Sequence, residues 1–215
     1  WMQGTALSWV VLTQLTDNDA GAMGITMALQ FAPPLLLVGV TGWVADRFDR
    51  RHLLIVTQSL LMATGALIGI LILSGVMTLP LMYLFAFLLG MVAAFDNPAR
   101  QAFVSDLVAR ENASNAVALN AASFNSARMI GPAVAGIMIV AVGTGWVFLV
   151  NTATFLAMIV ALDHLENPAD AGALSALMQG GGFLLAGLPP WIMAILRDQT
   201  GSFAVGWLMH LACAV

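Results

Sequence analysis

Lysine is absent from this sequence, and charge of either sign is scarce: seven arginines stand against eleven acids, so only 8% of the residues are charged. A soluble domain usually carries about a quarter charged residues. A chain of 215 residues that is 60% hydrophobic cannot clothe a water-facing surface with so few charges. The bilayer is the solvent that this composition fits. The formal net charge of -4 and the short, scattered arginine clusters exclude an electrostatic footprint for nucleic acid. A single cysteine, Cys213, excludes an internal disulfide framework and a multi-cysteine metal site, and in its apolar run it reads as an inert buried thiol. The histidines, His52, His164 and His210, lie far apart and without metal-ligand spacing, and Gly180-Gly181-Gly182 lacks the lysine and the preceding strand of a phosphate cradle. No catalytic residue, metal or cofactor is expected, and the chain reads as non-enzymatic. No basic leader precedes the apolar run from Gly4 to Leu15, and the sequence starts without methionine, so the start reads as truncated.

What is present is long apolar runs. A spanning helix needs roughly 20 apolar residues, and such windows predict spans at Ala22–Ala45, Leu53–Leu73, Leu79–Phe95, Gly145–Leu162 and Ala173–Leu196. A further segment, Ala113–Ala141, is diluted by Asn115, Asn120, Ser123, Asn125, Ser126 and Arg128 and reads as a polar-lined span. Trp1–Leu15 and Phe203–Val215 are apolar but short and read as cut helices. The fold class is therefore an all-α polytopic transmembrane helix bundle. Its domains are an N-terminal bundle over 1–162, a linker over 163–172 marked by Pro168 and three acids, and a C-terminal helix pair over 173–215. Arg47, Arg50, Arg51, Arg100 and Arg110 fall in two loops that alternation puts on one side, and that side should be cytoplasmic. The expected location is a bacterial-type inner membrane.

Two constellations carry chemistry. In the first, Gly42-Trp43-Val44-Ala45-Asp46-Arg47-Phe48-Asp49-Arg50-Arg51 packs a glycine and a dense charge cluster between two spans. Gly42 would permit close helix approach, and the arginines would anchor the loop at the anionic leaflet. A plain positive-inside anchor is the simplest reading of such a loop. In the second, Gly131, Pro132, Ala135 and Gly136 put small residues at helical spacing around a proline, which predicts a packing site with a kink. Nearby, Asn120, Phe124 and Arg128 recur at four-residue spacing on one helix face, with Asn125 one step around. An ionisable group at membrane depth is costly unless paired or solvated. Arg128 therefore either faces a cavity with this stripe or pairs with an acid such as Asp96. Asp96 is either a proton-coupling carboxylate or, the preferred reading, a helix-end acid at the interface. Gln30, ahead of Pro33-Pro34, is a further cavity candidate.

The pattern Gly-x-x-x-Asp-Arg-x-x-Arg-Arg over residues 42–51, between the second and third spans, resembles the signature loop of the major facilitator superfamily, with Asp49 where most members carry glycine. The Gly131-Pro132 stretch is similar to the Gly-Pro motif in the fifth helix of that superfamily's exporter branch. Residues 1–162 resemble siderophore- and macrolide-exporter-type members, while Gly180-Gly181-Gly182-Phe183 through Pro189-Pro190-Trp191 and Leu196–Ser202 look like the last two helices of cyanate- and nitroimidazole-type facilitators. The resemblance implies a major facilitator-like bundle that is incomplete, the four helices between these blocks being missing. It also implies a gating role for Asp46, Arg47 and Arg50. The function implied is gradient-driven efflux of a small molecule, with membrane lipid around the chain, H+ as coupling ion, and a partner half or a second copy completing it. The alternatives are a non-transporting helical fragment that needs a partner half, and proton-coupled uptake of a small anion.

Overall fold

The computed structural model describes the backbone of residues 1–106 and 113–164. Seven α-helices are described: α1 (Met2–Val10), running on into a π-helical turn (Val11–Leu15), α2 (Ala20–Leu36), α3 (Val38–Arg47), α4 (Arg50–Leu73), α5 (Leu79–Asp106), α6 (Ala113–Val142) and α7 (Thr144–His164). Of these, α4, α5 and α6 are long and apolar enough to cross a membrane. The α2–α3 pair qualifies as one span bent by 56°, and the apolar stretch of α7, Thr144–Val160, is shorter. The predicted span Ala173–Leu196, the terminal segment Phe203–Val215, the linker from Leu165 onward, Arg110, Arg197 and Cys213 lie outside the described residues.

The bend corrects the expectation of one continuous second segment. Pro33 and Pro34 sit inside α2 and lack the N–H groups that would reach the carbonyls of Leu29 and Gln30. The helix stops at Leu36, one residue (Leu37, φ -99, ψ 5) takes up the turn, and α3 starts at Val38. Pro132, where a kink was expected, lies inside an unbroken α6.

The helix ends are set by local chemistry. Asp19 caps α2 by accepting from the Gly21 N–H at 2.7 Å, and Asp49 caps α4 by accepting from the His52 N–H at 2.8 Å. At the other end of α4, Gly75 takes φ 72. Its N–H bonds the Ile72 carbonyl while that of Val76 bonds the Leu71 carbonyl, the paired closure that a left-handed residue after a helix makes available.

Two antiparallel helices, α4 and α7, form the spine. Gly65 and Gly69, one turn apart on α4, let α7 approach: a Cβ on Gly65 would lie 3.1 Å from Thr152 Oγ1, and one on Gly69 would lie 3.0 Å from the Gly145 carbonyl oxygen. At the far end of the pair, Arg51 reaches the last carbonyls of α7. The first segment is short but central, with Met2, Ala6, Leu7, Val10 and Val11 buried against Ile68, Phe148 and Phe85. Polar bonds fix its register on α7, where Gln3 Oε1 accepts from Asn151 Nδ2 at 2.7 Å and Gln14 Nε2 donates to Thr144 Oγ1 at 2.9 Å. A second apolar cluster, Leu54, Ala99, Met158 and Leu162, lies under the arginine-bearing end.

Candidate functional site

Most of the described charged residues, Asp46 to Arg51 with Asp96, Arg100 and Asp163, gather at one end of the bundle because α4 starts there while α5 and α7 finish there. The link between α3 and α4 is only Phe48-Asp49, so Asp46 and Arg50 come within 3.8 Å of each other. Arg50 Nε also donates to the Ala45 carbonyl at 3.4 Å. Arg47 lies with its guanidinium 6.0 Å from the centre of the Trp43 ring. Asp49 needs no left-handed backbone in place of the family's glycine, because it sits at φ -58, ψ 117 as an N-cap. Hydrogen bonding from the His52 N–H holds its carboxyl below the usual carboxylate range.

Arg51 turns inward, unlike its neighbours. Its Nε donates to the Leu162 carbonyl at 2.7 Å and its Nη2 to the Asp163 carbonyl at 2.6 Å. These oxygens end α7, where intrahelical donors run out and a cation complements the helix dipole. The loop is thereby tied across the bundle to a residue more than a hundred positions away. Gly42, expected to admit a neighbouring helix, faces open space.

Asp96 departs from the preferred reading of an interfacial helix-end acid. The fourth span does not finish at Phe95, since α5 continues through Pro98 to Asp106 and leaves Asp96 only 2% exposed. One carboxylate oxygen, Oδ1, accepts from Thr57 Oγ1 and Gln58 Nε2, each at 2.7 Å. The other, Oδ2, accepts from Arg100 Nε at 3.2 Å and from Arg100 Nη2. A charge taken out of water this completely is tolerated because every acceptor position facing protein is met by a donor. Thr57 and Gln58, both buried, were not singled out from sequence. Adjacent polar residues in an otherwise apolar run were the available signal.

The same pairing overturns the alternative in which Arg128 pairs with Asp96, because Arg100 holds that carboxylate one helical turn along α5. Arg128 instead lies 5.6 Å from the centre of the Trp1 ring, and Phe124 meets that ring edge-on at 5.4 Å and 75°. Gly131 makes this contact sterically feasible, since a Cβ there would lie 2.8 Å from Trp1 Cβ. Ala135 is fully buried, whereas Gly136 faces open space. Of the small-residue set, Gly131 and Ala135 do the packing. Phe124, Asn125 and Arg128 are exposed on α6, and the side chain of Asn120 lies outside the described residues. The backbone of Gln30 packs closely on α5, where a Cβ added at Gly90 would lie 2.3 Å from the Gln30 carbonyl oxygen. Among the described residues no group of three or more His, Cys, Asp and Glu is placed to hold a metal ion.

A bent second span, a charged two-residue link braced across the bundle, and a buried carboxylate with its own arginine define a polytopic helical membrane protein with an organised polar end. The profile of the family described as Transmembrane secretion effector matches residues 1–184. The chain belongs to this family of the major facilitator superfamily. It is 30% identical over 164 residues to the staphyloferrin A transporter of Staphylococcus aureus (strain NCTC 8325 / PS 47), which covers 75% of this chain and 41% of that protein. Over 60 residues it is 47% identical to the cyanate transport protein of Escherichia coli (strain K12), 28% of this chain and 16% of that one. Over 169 residues it is 27% identical to an uncharacterized MFS-type transporter of Bacillus subtilis (strain 168), 74% of this chain and 39% of that protein. The chain thus spans less than half the length of each of these relatives. No solved structure matches it.

Proposed function

We propose that the chain supplies the N-terminal bundle of a gradient-driven secondary transporter that exports a small molecule through an inner membrane, with H+ as the coupling ion and no enzymatic step. The observation that carries this reading is the organised polar end: Asp46 and Arg50 on the exposed link, Arg51 bracing α7, and Asp96 buried with Arg100 beneath them. Asp46, Arg47 and Arg50 form the gate, with Gly42 and Arg51 in the same loop, and Asp96 is the coupling carboxylate. Gln30, Asn120, Phe124, Asn125 and Arg128 line the substrate path. The gate faces the cytoplasm, because arginines concentrate there. The names of two relatives, a staphyloferrin A transporter and a cyanate transport protein, support a small solute as cargo. Since the family works by rocking two helical halves about a midplane site, the second half must complete the path. Coverage of at most 41% of the relatives' length supports a second reading, in which the chain acts only with a partner half.

Efflux of a panel of dyes and siderophores from cells lacking their own exporters tests the proposal, comparing this chain, Asp46→Ala and an empty vector. Gradient-dependent efflux that disappears in Asp46→Ala supports the gate. No efflux from a correctly inserted chain refutes autonomous transport, and recovery on co-expression of a second half would establish the second reading.

A further inference from the structure

Charge inside the spans of the described residues is unevenly resolved. Asp96 and Arg100 neutralise one another. Arg128 has no such partner: among the described residues no carboxylate lies within ion-pair distance and none accepts a hydrogen bond from its guanidinium, its contact being the Trp1 ring at 5.6 Å. Its depth makes this costly. The helix that carries it, α6, is 30 residues long, about 45 Å at 1.5 Å per residue, which matches a bilayer with its headgroups. Arg128 stands near the midpoint. The neighbouring helices agree on the level, because Trp1 lies two residues before Gln3, which bonds Asn151 close to the middle of α7. An arginine at this depth is out of reach of the headgroups by snorkelling from a helix end, so its charge calls for water and a counter-ion.

The surroundings define the shape of that counter-ion. A guanidinium holds its N–H groups in one plane as a fork that fits the two oxygens of a carboxylate. Trp1 and Phe124, held edge to face, add an apolar wall beside it. Gly131 sets the whole arrangement by admitting Trp1 against α6. We propose that Arg128, backed by Trp1 and Phe124, is the binding point for the carboxylate of an amphiphilic organic anion. This inference names the substrate class of the path described above and rests on that reading.

Binding of fluorescent 2-naphthoate and of its neutral isostere 2-naphthamide to the purified full chain in zwitterionic lipid nanodiscs tests it. The native chain is expected to bind the carboxylate at least tenfold more tightly than the amide. Arg128→Gln should erase that preference and Arg128→Lys should retain part of it, with unchanged thermal unfolding in all three. Equal binding of acid and amide, or a preference that survives in Arg128→Gln, overturns the proposal. Loss of naphthoate binding when anionic lipid is added would make a lipid phosphate the occupant and overturn it equally. Because the readout is binding, the carboxylate preference can fail while dye efflux persists, which separates this proposal from the transport reading.

Discussion

Removing the Asp96 carboxylate should be the most damaging single change at the polar end. Asp96→Ala leaves the Gln58 amide and the Arg100 guanidinium without the carboxylate that satisfied them, while the Thr57 hydroxyl keeps the Leu54 carbonyl at 3.1 Å as its acceptor. Breaking a buried ion pair by deleting one partner costs about 3–5 kcal/mol. Asp96→Asn keeps the volume and one acceptor, and should cost less. Thr57→Val removes one hydrogen bond to a charged group without changing shape, which predicts about 1.5–3 kcal/mol. In a Thr57→Val and Asp96→Asn double-mutant cycle the coupling should reach about 1 kcal/mol or more, because both act on the same oxygen. Reversible unfolding in mixed micelles, followed by helical circular dichroism, measures each value. Additive effects in the cycle, or a loss below about 1 kcal/mol for Asp96→Ala, would refute the claim that Asp96 is buried as a paired carboxylate.

The remaining predictions concern packing and the loop cap. Gly90→Ala forces a methyl within 2.3 Å of the Gln30 carbonyl oxygen, so α2 must move off α5; overpacking of this kind costs about 1–3 kcal/mol, readable in the same unfolding assay. Asp49→Ala deletes the cap of α4 and should cost about 0.5–2 kcal/mol at neutral pH. Because the Asp49 carboxyl is held low in the folded chain, its contribution is present above the unfolded carboxylate range and is lost as pH falls through the lower folded value. The difference between native and Asp49→Ala stability should therefore vanish in acid, and a difference constant down to the most acidic pH that keeps the chain folded would disprove the cap's ionic character.

Among the described residues, the order of the apolar segments was legible because spans are written in runs of apolar residues that tertiary packing does not rearrange. Boundaries were legible where a cap or a glycine set them and illegible where hydropathy and helicity part company. The fourth span illustrates this: its apolar run finishes at Phe95, but backbone hydrogen bonding continues to Asp106, so an acid that looked interfacial is enclosed by Thr57 and Gln58 from another helix. Pairing was harder to foresee for the same reason. Asp96 could be matched with any arginine until the helix was known to continue, at which point Arg100, one turn away, is the nearest. The two prolines of α2 carried their bend in plain view, yet one apolar window absorbed them. The Gly65 and Gly69 spacing on α4 was a readable packing motif that only the position of α7 gives meaning.

The loop's charges divide into two jobs, and the division makes the gate proposal sharper. Asp49 caps α4 and Arg51 caps α7, so these two hold the link in place. Asp46, with a side chain 81% exposed, and Arg47, spread on Trp43, face outward. A residue that braces should be lost through stability, whereas a residue that meets a moving partner should be lost through activity alone. Arg51→Ala removes two donors from the end of α7 and should destabilise the chain by about 1.5–3 kcal/mol, the range for hydrogen bonds to a charged group. Asp46→Ala breaks only an exposed pair with Arg50, worth about 0–1 kcal/mol, and should leave unfolding nearly unchanged while efflux falls. If Asp46→Ala instead unfolds the chain as Arg51→Ala does, its effect on efflux is structural and the gate loses its principal residue.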